Sequence, residues 1–266
     1  MRFRGWPLLI YALFFLVFIY VPVLLLPLFS FNDGQYVAFP IKGFTIKWYE
    51  EMFAADQLQR ALTNSIKVGV VVSIVSTLFG MLAALSFTRY KLRAKAALNG
   101  FILLPLVIPS IILGIALLVI LRQFLDASLS LWTVGAAHVL ICTPFAMLVL
   151  IARLEGFDKS LEEASLDLGE NRFMTFARVT LPLALPGVVS SLLISFTTSF
   201  DEFVLAFFLS SSEPTLPLYI FGQLRFPQKL PQVLALGSCI LVVSFVLIAF
   251  AEWYRRRGVG GEAKPA

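Results

Sequence analysis

Charged side chains make up only 14% of the 266 residues, histidine occurs once and cysteine twice. Soluble domains carry about 25% charged residues. With 59% of the chain hydrophobic, too much apolar surface remains for a water-soluble fold, and a soluble enzyme is set aside. Cys142 and Cys239 both sit in apolar runs. A disulfide framework is thereby excluded, a metal cluster has too few ligands, and the two thiols read as small apolar fillers. His138 also lies in an apolar run. With no second histidine to share a metal, it reads as a core or path-lining imidazole. No G-x-x-x-x-G-K-[ST] segment occurs, so the chain has no phosphate-cradling loop with which to bind ATP. The net charge of +5 implies no nucleic-acid partner; in a membrane protein, the side on which basic residues sit matters more than their excess.

What the chain does have is long uncharged runs. Leu8 to Phe29 contains 22 residues without a charge, which at about 1.5 Å per residue gives roughly 33 Å, enough for a hydrocarbon core of about 30 Å. Arg2 and Arg4 precede it as in a signal peptide, but the run exceeds the usual apolar region and no small-x-small cleavage site follows, so an uncleaved signal anchor is expected. The same reasoning predicts spans over 67–88, 98–121, 129–152, 183–210 and 231–251, an all-α integral membrane fold of six transmembrane helices within a single domain, 1–266. Pro22, Pro27, Pro105, Pro109, Pro144 and Pro186 fall in or at the ends of these spans and predict kinks. Alternate loops divide the basic residues unevenly. Arg2, Arg4, Arg89, Lys91, Arg93, Lys95, Arg153, Lys159, Arg172, Arg178, Arg255, Arg256, Arg257 and Lys264 fall on one side, against Lys42, Lys47, Arg60, Arg122, Arg225 and Lys229 on the other. The positive-inside rule puts the richer side, and both termini, in the cytoplasm.

The cytoplasmic segment 153–182 carries two helical patterns. Asp158 or Ser160 can cap the first, Glu162 and Glu163 stand in its opening turn, Leu161, Ala164 and Leu168 recur at helical spacing, and Gly169 ends it. Phe173, Phe176, Ala177 and Thr180 mark a second helix that is predicted to stop near Leu181-Pro182, before the next span. Such a hairpin along a membrane face makes a docking surface.

Glu163-Ala164-Ser165, three residues, Gly169, nine residues and then Val179-Thr180-Leu181-Pro182 resembles the EAA loop of the membrane subunits of binding-protein-dependent ABC importers. Ser165 replaces the motif's second alanine and Val179 its isoleucine, mild departures that keep the spacing. Gly43-Phe44-Thr45-Ile46-Lys47-Trp48-Tyr49, Asn64-Ser65, Leu154-Glu155-Gly156-Phe157-Asp158 and Ser195-Phe196-Thr197-Thr198-Ser199-Phe200-Asp201-Glu202 are similar to the spermidine/putrescine permease subunits. The resemblance implies a type I (MetI-like) importer permease in the bacterial inner membrane. It also implies a cytoplasmic ABC ATPase dimer carrying ATP and Mg, a second similar permease chain and a periplasmic polyamine-binding protein as partners. On the loop it assigns ATPase coupling to Glu162, Glu163, Ala164, Ser165, Asp167, Leu168, Gly169, Leu181 and Pro182. No cofactor, metal or catalytic residue is expected on this chain.

The fifth span is rich in polar groups. Ser191, Ser195, Thr198 and Glu202 are spaced by 4, 3 and 4 and form one stripe along a helix, with Thr197 and Asp201 beside it. The two carboxylates fall about 20 to 27 Å along the axis, in the outer part of the bilayer. They read either as an acidic path for an organic cation or as solvated interfacial residues above a stripe of helix-to-helix contacts. In the second span, Gly69, Ser73, Ser76 and Gly80 share the 4, 3, 4 spacing and predict a narrow packing face. Aromatic residues near span ends read as interfacial anchors, although Trp48 and Tyr49 offer a contact for a delivery protein. Importer permeases for another small solute share the EAA loop and remain an alternative. An ion-coupled carrier would show internal repeats, and none is found by inspection. An intramembrane enzyme lacks a catalytic set.

Overall fold

A computed structural model describes residues 6–91 and 93–259. These residues are helical apart from loops and an isolated bridge between Asn32 and Phe44. The chain divides into two compact units, Gln57–Tyr219 and the pair Met1–Asp56 with Ile220–Ala266.

In the two-segment unit, α1 (Trp6–Ser30) and α2 (Lys47–Phe53) pack on α12 (Leu230–Val259). Side chains 6–22 of α1 are exposed on every face and are almost all apolar, an arrangement water would oppose and hydrocarbon accepts. The loop between α1 and α2 is held by polar bonds. The Asn32 side chain accepts the Gly34 and Lys42 amides at 3.2 and 3.1 Å, and Trp48 Nε1 donates to the Asn32 carbonyl at 2.7 Å. Trp48 is only 3% exposed, so it is a staple of this loop and not a free contact for a delivery protein.

The larger unit is built on α3 (Asp56–Arg89), α4 (Lys95–Val107), α5 (Ser110–Val119), α6 (Leu131–Glu155), α7 (Ser160–Asp167), α8 (Arg172–Thr175), α9 (Leu181–Asp201), α10 (Val204–Leu209) and the start of α11 (Leu216–Gln223). α6 and α9 lie side by side at its centre. One apolar cluster joins Val68 and Val72 of α3 to Leu113, Val134, Ile141, Leu205 and Leu209; a second joins Met81 and Ala84 to Leu150, Leu154 and Ala184. The predicted narrow face of α3 is buried, with Gly69, Ser73, Ser76 and Gly80 all turned inward. Ser130 opens α6 with a reciprocal cap: its amide donates to Thr133 Oγ1 at 2.9 Å, and that hydroxyl reaches the Leu209 carbonyl at 2.9 Å. This bond ties the start of α6 to the end of α10.

Among the described residues, five helices are long and apolar enough to cross a membrane: Trp6–Ser30, Asp56–Arg89, Leu131–Glu155, Arg172–Asp201 and Pro227–Val246. A sixth crossing requires that Lys95–Val107 and Ser110–Phe124 count together, because they meet at 100°. The expected span over 98–121 is therefore broken at Pro109, one of the expected kink positions. The cause is local. Ile108 precedes Pro109 and is extended, with ψ at 128°, as the proline ring demands of its predecessor.

Three further boundaries differ from the sequence reading. The second crossing helix begins at Asp56, not near 67, since its charged first turns continue the helix beyond the apolar run. The fifth ends at Asp201 instead of 210. Glu202 is extended there, with ψ at 113°, and its carboxylate accepts the Val204 and Leu205 amides at 3.0 and 3.1 Å, so it starts α10 rather than prolonging α9. Finally, the second helix of the hairpin does not stop at Leu181-Pro182. It runs through a π-helical turn, Phe176–Thr180, straight into α9. Pro182 directly follows the π-helical turn and takes a helical place in α9.

Candidate functional site

The hairpin forms as its residues dictate. The Asp158 carboxylate accepts the Ser160 amide at 3.0 Å and opens α7. That bond holds the exposed Asp158 carboxyl below its ordinary value. Glu162 and Glu163 occupy the first turn, where the helix dipole favours negative charge. Gly169 has φ at +91°, the left-handed conformation in which only glycine is unstrained. Asn171 then caps α8 by accepting the Met174 amide at 2.9 Å.

α7 has two faces. Glu163, Ala164, Asp167 and Leu168 are exposed, and Leu168 is 87% so. Phe173, beyond the turn, is 73% exposed. Together they make an open surface of apolar and acidic groups, with nothing of the chain within 4 Å of a Cβ placed at Gly169. Glu162 and Ser165 face inward. Ser165 Oγ lies 3.1 Å from Thr175 Oγ1 across the hairpin, and Glu170 pairs with Arg178. Glu162 pairs with Arg89 at the end of α3 at 2.7 Å and accepts the Thr180 hydroxyl at 2.7 Å. Leu181 and Pro182 stand where the hairpin enters α9, and the Leu183 carbonyl accepts Arg153 Nε at 3.1 Å.

The polar residues of α9 do not share one environment. Ser191 and Ser195 are fully buried, Thr198 is half-buried, and Asp201 is exposed. Ser191 Oγ meets Thr77 Oγ1 of α3 at 3.2 Å. Ser199, which the 4, 3, 4 spacing passes over, is buried and lies 2.9 Å from His138 Nδ1 of α6. The Ser195 carbonyl accepts the Cys142 thiol at 3.6 Å. Ser191, Ser195 and Ser199 thus form a seam facing α3 and α6. Thr198 lies beside it, and Asp201 stands clear at the end of α9. Glu202, half-buried, is engaged in starting α10.

Several of these partners escaped the sequence reading. Arg89 appeared there only as a cytoplasmic positive charge, and Thr180 only as a helical position and a member of the loop motif. Asn64 Nδ2 reaches the Pro214 carbonyl at 3.2 Å, and Ser65 Oγ accepts the Leu216 amide at 2.8 Å. Asn64-Ser65 therefore anchors the segment before α11, a pairing across the sequence that no local pattern signals.

The family described as binding-protein-dependent transport system inner membrane component matches residues 76–258. A spermidine/putrescine transport system permease protein, PotC, from Haemophilus influenzae is 34% identical over 90% of this chain and 93% of its own length. A putrescine transport system permease protein, PotI, from Escherichia coli is 31% identical over 94% and 90%. Among solved structures, a bacterial ABC transporter involved in import of the acidic polysaccharide alginate has a chain of similar fold, with a TM-score of 0.74 at 14% identity, covering 94% of this chain and 98% of that one. A chain of the MetNI methionine ABC transporter has a TM-score of 0.60 at 20% identity, covering 76% and 96%.

Proposed function

As the chain belongs to the binding-protein-dependent transport system inner membrane component family, we propose that it is the permease subunit of an ATP-driven importer carrying putrescine or spermidine into the cytoplasm. The observation that carries the solute is the identity of 34% and 31% to spermidine/putrescine and putrescine permeases over nearly the whole chain. The fold does not choose a solute, since alginate and methionine transporters have chains of similar fold.

The division of labour follows from the residues. The outward face of α7, with Glu163, Ala164, Asp167 and Leu168, docks a cytoplasmic ABC ATPase. ATP and Mg belong to that partner, and Gly169 sets the turn that presents the face. A second, similar permease chain completes the path, and a periplasmic polyamine-binding protein delivers the solute. Both termini lie in the cytoplasm of a bacterium whose inner membrane holds the chain, as the distribution of basic residues supports. Asp201 attracts the amine. At about 4 Å and an effective dielectric near 20, a carboxylate and an ammonium attract by about 4 kcal/mol before desolvation, strong enough to gather a polycation and weak enough to release it. Ser191, Ser195, Thr198 and Glu202 belong to the polar lining or its support. Alternating access then moves the solute as the ATPase cycles.

Competition uptake in the reconstituted importer tests the solute. Unlabelled putrescine and spermidine are expected to suppress uptake of the labelled amine, whereas methionine and alginate oligosaccharides are not. Uptake of neither amine would end the polyamine reading.

A further inference from the structure

A single carboxylate ties three distant parts of the chain together at the cytosolic edge. Glu162 Oε2 stands 2.7 Å from Arg89 Nε, while its Oε1 accepts Arg89 Nη2 at 3.1 Å and the Thr180 hydroxyl at 2.7 Å. Arg89 is the last residue of α3, Glu162 lies in the first turn of α7, and Thr180 closes the π-helical turn that enters α9. The pair is not a surface ion pair, since the two side chains are only 15% and 16% exposed. One directed hydrogen bond, from Nη2, and a close ion contact at Nε hold the guanidinium against the carboxylate. Two flanking contacts fix the same joint: the Arg89 guanidinium lies over the Phe157 ring at 5.0 Å, and Lys159 Nζ donates to the Thr88 carbonyl at 3.2 Å.

Apolar packing supplies part of this joint, with Phe157 and Phe176 against the cluster that holds Met81 and Ala84 of α3. A cavity of about 310 Å³ opens between α3 and the hairpin, lined by Leu85, Leu166 and Phe176 together with the three bonded residues. Across that gap the apolar groups leave room, and there the polar bonds span from the hairpin to α3. The neighbouring Glu163 points away, on the face assigned above to the ATPase.

We propose that Arg89, Glu162 and Thr180 form a clamp that passes each displacement of the hairpin to α3 and α9. They are positioning residues: the outer face of α7 receives the ATPase, and the inner face holds the spans. Broken, the clamp leaves the ATPase docked and hydrolysing while transport falls behind. The inference rests on the docking reading of the hairpin but uses different residues, so the two fail separately.

The test uses the complete importer in proteoliposomes, with ATPase, both permease chains and binding protein, and reads putrescine uptake and phosphate release together. Arg89→Gln and Thr180→Val are expected to retain the ATPase through purification and to lower amine moved per ATP by at least about fivefold, the lower end of coupling between sites. Arg89→Lys, which keeps the charge and loses the planar guanidinium, should fall between Arg89→Gln and the unaltered chain, and keeps the test open if the Arg89→Gln permease pair itself does not assemble. Exchanging the pair, Arg89→Glu with Glu162→Arg, should recover part of the loss. An unaltered ratio in Arg89→Gln and Thr180→Val, a purely additive loss in the exchange, or ATPase lost from an assembled Arg89→Gln permease pair would each overturn the clamp. Glu163→Lys judges the docking reading separately: it should release the ATPase, and full ATPase recovery would end that reading whatever the Arg89 variants do.

Discussion

Gly80 of α3 faces the backbone of α6: a Cβ at position 80 would lie 2.8 Å from the Met147 amide nitrogen and 2.7 Å from Ala146 Cβ. Neither can swing aside, as both are fixed by the α6 backbone. Gly80→Ala is therefore expected to force the two helices apart, at roughly 1 to 3 kcal/mol for overpacking a close contact. Gly69→Ala would meet the Phe196 ring at 3.0 Å, a side chain with freedom to turn. Thermal unfolding of the purified complex should show the larger drop in Tm for Gly80→Ala.

At Gly169 the constraint is of another kind. Its φ of +91° strains any residue with a Cβ, yet nothing stands within 4 Å of that Cβ. The cost of substitution is conformational, about 1 to 3 kcal/mol for a bulky residue held there. Gly169→Val is expected to release the ATPase on purification, and Gly169→Asn, which tolerates the left-handed region better, to keep more of it. Equal recovery from both variants would show that backbone conformation is not what the turn supplies.

The adjoining carboxylates of α9 should separate in their effects. Asp201 is exposed and caps nothing, so Asp201→Asn is expected to lower putrescine uptake with no change in the yield of assembled complex. Glu202 accepts two amides at the start of α10. Glu202→Gln retains an accepting oxygen and should be mild, while Glu202→Ala removes the cap and costs about 1 kcal/mol. Uptake kinetics beside Tm distinguishes the two roles: unaltered uptake in Asp201→Asn would remove that carboxylate from the path.

His138 and Ser199 meet within the membrane-spanning helices. The 2.9 Å contact joins α6 to α9 inside the apolar region, where such side-chain bonds contribute about 0.6 kcal/mol and at most about 1.7. Ser199→Ala should lower Tm slightly and leave the amount of ATPase recovered unchanged. A large loss of assembled complex would mean that the seam does more than join two helices.

The parts of this fold legible in the sequence are those set by short-range rules. Leu8 to Phe29 is apolar at every step, Gly169 ends α7, and Pro109 breaks a helix wherever its neighbours lie. The hairpin motif could be placed because its chemistry is written in consecutive residues. What escaped depends on partners distant in the chain. Glu202 reads as one more position on a helical stripe until its carboxylate turns to cap α10. The Arg172 helix reads as ending at Leu181-Pro182, yet a π-helical turn carries it past Pro182 into α9. Arg89 reads as one positive charge among many; only the meeting of α3 with α7 makes it the partner of Glu162. Ser199 lay one residue beyond Thr198, and the side of the helix that is buried is decided by α6, not by α9 alone.

A hairpin that takes its motion from a separate ATPase leaves the membrane subunits unable to concentrate the amine by themselves. Vesicles holding this chain, its companion permease and the binding protein, with ATP enclosed on the hairpin side, should accumulate labelled putrescine against its gradient only when the ATPase is also present. Accumulation of equal extent with the ATPase omitted would contradict it.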